Sequence, residues 1–207
     1  MCLITKMTEP IIAEKDITCY KVIRKNMLSL YYNEFKWEFG KIHTSRIKVV
    51  ERPDNAHEIY QGLHSYATLK GLKKAYYTAT VPCLAVKCTI PSGSKVYSGR
   101  HDNLKGYASD QLIVNEVIDI KELYSDFDWN NYPYKEGQVI QINLFDYKIW
   151  EDYQIMNIQP HPTNNTRVNL IVKDCRGKYF EHTIKTTFDG KVWQSEIYDI
   201  LNKSKEG

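Results

Sequence analysis

The most informative stretch of the chain is residues 61–116, which read QGLHSYATLKGLKKAYYTATVPCLAVKCTIPSGSKVYSGRHDNLKGYASDQLIVNE. Within it, Cys83–Ile90 is a nearly continuous apolar run that stops at Pro91, and such a run predicts a buried strand followed by a turn. Tyr66–Tyr77 has apolar residues at helical intervals with lysines between them, which predicts a helix before that strand. Gln111–Ile120 is a further β run. This order of elements indicates a mixed α and β domain.

The rest of the sequence favours β structure. Tyrosine occurs 16 times, and its preference for strands and half-buried faces shifts the expectation toward a β-rich fold. Ile17–Arg24 is an early strand candidate, and after residue 137 short strand candidates follow at the spacing of a small barrel. These later candidates are Val139–Leu144, Tyr153–Ile158, Val168–Lys173 and Lys178–Ile184.

We therefore predict an α+β, mostly β chain in two domains. Residues 1–125 form an α+β domain and residues 126–207 form a small β-barrel-like module, with the acidic and aromatic segment Lys121–Gly137 at the boundary. An apolar stripe near the end of the chain predicts a C-terminal helix, while a β-hairpin across Asp189-Gly190 is the competing interpretation. The stripe consists of Trp193, Ile197, Ile200 and Leu201.

Composition and charge exclude several classes of protein. Hydrophobic residues make up 43% and charged residues 26%, which are globular values, and the net charge is +3. Because no run of basic residues is longer than two, a nucleic-acid partner is unsupported by any basic patch. The five cysteines are irregularly spaced, which favours free buried thiols in a reducing compartment. No segment resembles a signal peptide or a membrane span, so we expect a cytoplasmic protein without membrane contact.

Three consecutive segments of the informative stretch carry a resemblance to a known fold. QGLHSYATL leads into the helix, CLAVKCTIPSGSKVYSG contains a strand ending in an Ile-Pro-x-Gly turn, and GYASDQLIVNE is a small-residue loop that opens a strand. This order resembles the core of the ADP-ribosyltransferase fold over about half of the chain. The resemblance implies NAD as a cofactor, with Arg24 holding the dinucleotide, Ser65 ordering the nicotinamide pocket and Tyr66 stacking on nicotinamide.

The position of the catalytic acid departs from the family pattern. The family places Glu-x-Glu ahead of the last strand, where this chain has Ser109-Asp110-Gln111. Gln111 stands where the resemblance implies the catalytic glutamate, and a neutral amide cannot stabilise the oxocarbenium-like ribose as a carboxylate does. Asp110 is the neighbouring acid that would take the catalytic role, whereas Glu116 lies farther along the strand.

The sequence as a whole carries a second resemblance. Its segments ITCYKVIRK, GLHSY, KCTIPSGSKVYSG and YASDQLIVNE are similar to those of a group of uncharacterised proteins from gut Bacteroidales bacteria and their phages. That group supplies no activity, and it implies an accessory protein of a phage or mobile element.

No metal site is predicted from the histidines or the acidic residues. His64 is adjacent to Ser65, but successive residues of a strand point to opposite faces and would not form a nucleophile–base pair. His57, His64 and His101 lack the spacing of a metal site and are interpreted as structural, surface or loop residues. The acidic residues between positions 119 and 128 lack the glycine and alternating spacing of an EF-hand loop.

Two functional hypotheses follow from the sequence. The first is a non-catalytic intracellular binding or accessory protein that needs no cofactor and recognises another protein through tyrosine-rich faces with scattered lysines. The second is an NAD-dependent ADP-ribosyltransferase, or a degenerate NAD-binding relative, that uses Arg24, Ser65 and Asp110. The neutral Gln111 favours the first hypothesis.

Overall fold

The computed structural model describes residues 2–30, 35–143, 150–174, 181–188, 193–195 and 199–202. The structure is mostly β, with a curled, half-barrel sheet and little helix, so the predicted mostly β, α+β class is confirmed. The chain divides into two compact units. The first contains Met1–Ala75 and Leu84–Leu123, and the second contains Tyr76–Cys83 and Tyr124–Gly207.

The first unit is built on a large, largely antiparallel sheet. Its strands are β1 (Leu3–Thr5), β2 (Ile11–Ile12), β3 (Ile17–Arg24), β4 (Ile42–Thr44), β5 (Lys48–Glu51), β6 (His57–Gln61), β7 (Leu63–Tyr66), β8 (Cys83–Ile90), β9 (Lys95–His101), β10 (Leu104–Ser109) and β11 (Gln111–Val117). They are ordered β4-β11-β8-β3-β7-β10-β9-β1-β6-β5, with β2 paired to β9. The helices are α1 (Leu69–Tyr77) and α2 (Ile120–Leu123).

Two faces of this sheet bury separate apolar clusters, because side chains alternate along each strand. The larger cluster contains Ala13, Cys19, Ile23, Trp37, Leu63, Val86, Cys88, Ile90, Val96, Leu112 and Val114. The smaller one contains Leu3, Ile59, Tyr97 and Ala108. Cys19 and Leu63 therefore mark one face, while Tyr97 and Ala108 mark the other.

Helix α1 begins at Leu69, three residues later than the sequence pattern predicts. Ser65 and Tyr66 are instead part of β7, where Tyr66 pairs with Gly106 of β10 and with Tyr20 of β3. Thr68 caps the helix, because its Oγ1 accepts a hydrogen bond from the Gly71 N–H at 3.2 Å. Glycine suits position 71 because a β-carbon there would crowd the Tyr66 ring.

A tight hairpin joins β9 to β10. Asp102 and Asn103 both have positive φ, at 44° and 67°, which fits a type I′ turn that suits the twist of antiparallel strands. The register pairs His101 with Leu104 and Val96 with Ser109. The segment GYASD was interpreted from the sequence as a loop. In the structure, its first four residues end β10, and Asp110 follows that strand.

The second unit is a meander of antiparallel strands ordered β16-β15-β14-β13-β12-β17. These strands are β12 (Val139–Asn143), β13 (Trp150–His161), β14 (Asn164–Asp174), β15 (Glu181–Phe188), β16 (Trp193–Ser195) and β17 (Asp199–Asn202). The core includes Ile140, Ile142, Tyr153, Ile155, Leu170 and Ile171, all buried. Buried aromatic residues between positions 124 and 134 make that segment a packed part of this unit, where the sequence predicts a solvated boundary.

Three buried amides of the second unit hold the segment Tyr76–Cys83. Asn157 donates from Nδ2 to the Tyr76 hydroxyl at 2.8 Å, and its Oδ1 accepts the Cys83 N–H at 3.2 Å. Gln159 donates to the Ala79 carbonyl at 3.1 Å, and the Asn169 side chain donates to the Tyr77 carbonyl at 3.1 Å. Because buried amides are stable only when they are hydrogen-bonded, these contacts fix the segment in this unit.

The predicted C-terminal helix is wrong where the structure describes that region. Trp193–Ser195 pairs with β15, with Trp193 opposite Phe188, and Asp199–Asn202 pairs with β12. These pairings satisfy backbone groups that would otherwise be exposed at the two edges of the sheet, and this tertiary gain outweighs a short helical stripe. Residues 189 and 190 of the competing hairpin lie outside the described residues, but the strands on either side of them do pair.

Candidate functional site

Arg24, the predicted dinucleotide-binding residue, lies at the end of β3 and organises the loop that follows. Its Nη2 donates to the Leu30 carbonyl at 3.2 Å. Its backbone N–H donates to the Leu28 carbonyl at 2.9 Å, and its carbonyl accepts the Met27 N–H at 2.9 Å. The guanidinium therefore has a structural role in holding residues 25–30.

Ser65 and Tyr66 are neighbours on β7 and point to opposite faces of the sheet. Ser65 is fully buried and its hydroxyl lies beside the Cys19 thiol, in the larger cluster. Tyr66 points the other way and packs edge-to-face on His101, with ring centroids 5.7 Å apart. Since Arg24 is five residues from Cys19 on β3, strand alternation places the Arg24 and Ser65 side chains on opposite faces. The structure brings Tyr66, but not Ser65, to the face of Arg24.

Asp110 and Gln111 lie where β10 passes into β11. The Asp110 carboxylate accepts the Lys95 N–H at 2.9 Å, and the Asp110 N–H donates to the Lys95 carbonyl at 3.2 Å. Gln111 pairs with Thr44 of β4, and its carbonyl accepts the Ser109 hydroxyl at 2.8 Å. The acid that was predicted to replace the family's glutamate therefore satisfies backbone groups at the start of β9.

A buried lysine lies behind β7, and the sequence did not single it out. Lys21 is only 8% exposed; its Nζ donates to the His64 carbonyl and lies 5.0 Å from the centre of the Trp37 ring. Burial lowers the pKa of Lys21 to about 8, although the neighbouring thiols of Cys88 and Cys19 oppose that shift. The Lys21 ammonium therefore loses its proton at a lower pH than a surface lysine does.

Two thiols accompany the lysine. Cys19 of β3 and Cys88 of β8 are both completely buried, and each thiol shifts the pKa of the other. Cys88 lowers the pKa of the Cys19 thiol, while burial opposes that shift and Ser65 and Lys21 add to it. The neighbouring Cys19 thiol, together with burial, raises the pKa of Cys88.

On the opposite face, His64 and His101 form a buried pair. Their rings pack edge-to-face with centroids 5.2 Å apart, and His101 Nδ1 lies 2.9 Å from the Cys2 carbonyl. Neither ring nitrogen of His64 has a hydrogen-bond partner among the described residues. Burial, followed by the Lys21 charge and by His101, lowers the pKa of His64 to about 3. No group of three or more metal-ligating side chains occurs in the described part of the chain.

Pairing of β7, β9 and β10 brings these two histidines together, and no short motif signals it. Gly106 of β10 lies opposite Tyr66, and a side chain there would overlap the His101 ring and come within 2.8 Å of the Ser65 carbonyl. Gly106 is therefore required for close packing at the pair. The sequence does show this glycine within GYASD, but without the register its role cannot be inferred.

The two outermost strands of the first unit expose apolar side chains. Every residue of β5 is exposed, with Val49 at 38% and Val50 at 51%. At the opposite edge, β4 exposes Ile42, and Phe39 and Val117 nearby are also exposed. Edge strands with apolar side chains can pair with another extended chain.

Comparisons with known proteins add no assignment to this geometry. No protein-family model matches the sequence, no curated protein is detectably similar, and no solved structure matches the fold. Within the described residues, no helix is both long enough and apolar enough to cross a membrane.

Proposed function

We propose that this chain is a non-catalytic binding protein whose first unit adds an extended segment of a partner protein to β5. The observation that carries the proposal is the edge position of Lys48–Glu51, with all four side chains exposed. Strand addition supplies affinity through backbone hydrogen bonds and specificity through alternate side chains.

The backbone register of β5 identifies which groups are available. The Arg52 N–H donates to the Ala56 carbonyl at 2.9 Å, and Val50 lies opposite Glu58 in the same register. Hydrogen-bonded and non-hydrogen-bonded pairs alternate along an antiparallel ladder, so Val50 bonds inward while Val49 and Glu51 direct their N–H and C=O groups outward. These outward groups are the docking points for an incoming strand.

Charge on and beside β5 argues for a different protein rather than a second copy. A two-fold pairing centred on Val50 would place Lys48 opposite Arg52 of the other copy. A pairing centred on Val49 would bring Arg46 opposite Arg52. Like charges directly opposite each other destabilise strand pairs. The partner that fits is an extended segment with β-branched residues flanked by acidic ones.

The proposed setting is the cytoplasm of a bacterial cell, or of one infected by a phage. Cys2, Cys19, Cys83 and Cys88 form no disulfide. Free thiols are typical of reducing compartments, which supports this setting.

Replacing Val49 by proline tests the strand-addition mode. The outward N–H of Val49 is removed while the inward bonds of Val50 remain, and proline is tolerated on the solvent side of an edge strand. We expect peptides selected by the wild-type chain from a random displayed library to bind V49P at least about tenfold more weakly, since one lost hydrogen bond and the ring's bulk act together. Titration of labelled peptides measures the change.

Two further variants make that experiment decisive. Val50→Thr keeps all backbone groups and is expected to bind within about threefold of wild type, because only an exposed methyl group is exchanged. Val50→Lys adds positive charge beside Lys48 and should weaken the binding of peptides without acidic residues. This variant tests the same surface if V49P does not fold. If selected peptides bind V49P as tightly as wild type, or if no peptide is enriched, strand addition at β5 is excluded.

Absence of turnover is the second part of the proposal. It is supported by the neutral Gln111 and by the use of the Asp110 carboxylate in bonding the Lys95 N–H. Incubation with NAD is expected to release no nicotinamide and to leave the chain unmodified. Nicotinamide release would contradict this, whereas an NAD-dependent rise in melting temperature without release would favour the degenerate NAD-binding alternative built around Arg24 and Tyr66.

A further inference from the structure

We propose that Cys83 and Gln159 form an internal thioester, a modification in which the Cys83 sulfur bonds to the side-chain carbonyl carbon of Gln159 and ammonia leaves. Both residues belong to the second unit. The inference does not depend on partner binding at β5, because that strand belongs to the first unit. Its consequence is a covalent link between residues 76–83 and β13.

The cysteine and the glutamine are in direct contact in the core. Gln159 Nε2 donates to Cys83 Sγ at 3.7 Å, and the two residues are only 0% and 1% exposed. One covalent bond separates Nε2 from the carbonyl carbon that the sulfur has to reach. Reacting atoms in a near-attack arrangement lie about 3–3.5 Å apart, so side-chain rotation of the two residues is the movement that the reaction needs.

Hydrogen bonds position the thiol and increase its reactivity. Asn157 Oδ1 accepts both the Cys83 N–H at 3.2 Å and the Cys83 S–H at 3.4 Å. Asn157 Nδ2 in turn donates to Glu136 Oε1 at 2.9 Å. Linked hydrogen bonds polarise one another, so the Glu136 carboxylate makes Asn157 Oδ1 a stronger acceptor. This chain draws the proton away from the sulfur, and a sulfur with more thiolate character is the better nucleophile.

The Gln159 amide is anchored through its nitrogen. Nε2 also donates to the Ala79 carbonyl at 3.1 Å. A carbonyl can only accept, so the nitrogen must be the end of the amide that faces Ala79. Gln159 Oε1 has no hydrogen-bond partner among the described residues. Rotation of the amide toward the sulfur is therefore opposed only by the contacts of Nε2, which is the atom that leaves.

The reaction balances without any other reagent. The Cys83 sulfur attacks the Gln159 carbonyl carbon, the C–N bond breaks, and its electron pair stays on nitrogen. The thiol proton is transferred to this nitrogen, which leaves as ammonia. One thiol and one carboxamide thus give one thioester and one ammonia, with no change in oxidation state. Burial does not prevent the step, because both reactants are already in the core, and it protects the product from water.

The intact mass of the full chain, purified in a buffer without amines or added thiols, tests the inference. We expect a species that is lighter than the sequence mass by one ammonia. Peptide mapping at acid pH should join the Cys83 peptide to the Gln159 peptide. Hydroxylamine at neutral pH under denaturing conditions should restore the thiol and leave a hydroxamate at position 159, because it attacks thioesters and spares ordinary glutamines.

Two cysteine variants identify the nucleophile. Cys83→Ser keeps the shape of the side chain but replaces the thiol by a weaker nucleophile, so the lighter species is expected to disappear. Cys88→Ala is the matched control, because Cys88 is also a fully buried cysteine but belongs to the first unit. The fraction of the lighter species should be the same in Cys88→Ala as in wild type.

Several outcomes would overturn the inference. One is a wild-type chain whose mass equals the sequence mass. Another is ammonia loss that persists in Cys83→Ser, because the loss would then come from a different amide. If Cys83→Ser does not fold, the hydroxamate map of the wild-type chain decides: a hydroxamate at Gln159 supports the thioester, and its absence there refutes it.

Discussion

Replacing His64 by leucine is expected to make the first unit far less sensitive to acid. Between the ordinary histidine pKa of 6.5 and pH ~4, the wild-type chain should lose on the order of 3 kcal/mol of stability through this residue, and His64→Leu should lose none of that part. Near neutral pH, the variant should be as stable as wild type or more stable, because two buried ring nitrogens without described partners are removed.

The direction of this effect follows from the lowered pKa. The unfolded chain binds a proton at His64 as the pH falls through 6.5, but the folded chain does not until about 3. Protonation therefore favours the unfolded state across that interval, and the stability present above pH 6.5 is progressively lost. His101 contributes in the same direction, because burial lowers its pKa as well.

Urea denaturation at a series of pH values, with hydrogen–deuterium exchange of β7 peptides, measures the free energy of opening of the first unit. His161→Gln is the matched control, because His161 is only partly buried and belongs to the second unit. It should leave the acid profile of β7 unchanged. Parallel pH profiles for wild type and His64→Leu would show that His64 titrates normally in the folded chain.

Replacing Asn157 by leucine is expected to destabilise the second unit by about 3 kcal/mol or more, since several buried polar groups lose their partner together. Leucine has the same branched shape but cannot hydrogen-bond. It leaves the Tyr76 hydroxyl and the Cys83 N–H without their Asn157 contacts, and removes the donor that lies 2.9 Å from Glu136 Oε1. The loss is large because Tyr76 and Cys83 are buried, so their polar groups cannot recover a hydrogen bond to water.

Thermal unfolding and hydrogen–deuterium exchange of residues 76–83 measure this change. Asn165→Ala is the control, because Asn165 is an exposed asparagine with a hydrogen bond to the Asp126 carbonyl at 2.8 Å. It should cost less than about 1 kcal/mol, as expected for an exposed hydrogen bond. Equal costs for the two variants would mean that Asn157 is not the residue that holds the segment in place.

Local pattern was sufficient for the strongest strands. Ile17–Arg24 and Cys83–Ile90 were predicted with their observed bounds, since each is a β-type run and the second ends at a proline. The mostly β class followed from the same runs and from the tyrosine content. Helix α1 was predicted, but its start was placed three residues too early. Tyr66 fits a helical stripe and a strand pair equally well, and only the Thr68 cap distinguishes them.

Long-range pairing was beyond the reach of pattern. The β9–β10 hairpin depends on Asp102 and Asn103 adopting positive φ, which an Asp-Asn pair signals only weakly. His64 and His101 were interpreted as isolated, and only the register of three strands places their rings together. The burial of Lys21 was not predicted, because a lysine on an alternating strand is normally exposed. It depends on Trp37, whose ring lies over the Lys21 ammonium.

The candidate site was the least predictable part. Arg24, Ser65 and Asp110 were grouped because a family order suggested it, but order along the chain does not determine which face of a strand a side chain occupies. In the structure, each of the three lies beside groups that a transferase site would have to release: the Leu30 carbonyl, the Cys19 thiol and the Lys95 N–H. The sequence did show one feature of the site, which is the neutral Gln111 where the family has its catalytic glutamate.

Residues 76–83 belong to the second unit, although they lie in the sequence between the two parts of the first unit. This order affects folding during synthesis. During synthesis, this segment leaves the ribosome well before the strands that carry Asn157, Gln159 and Asn169. At bacterial elongation rates of about 5–20 residues per second, Tyr76 waits several seconds for its amide partners. Over that interval, an apolar helix end has no core to enter, so the nascent chain should be most vulnerable to proteases and most dependent on chaperones between translation of residue 84 and translation of β14.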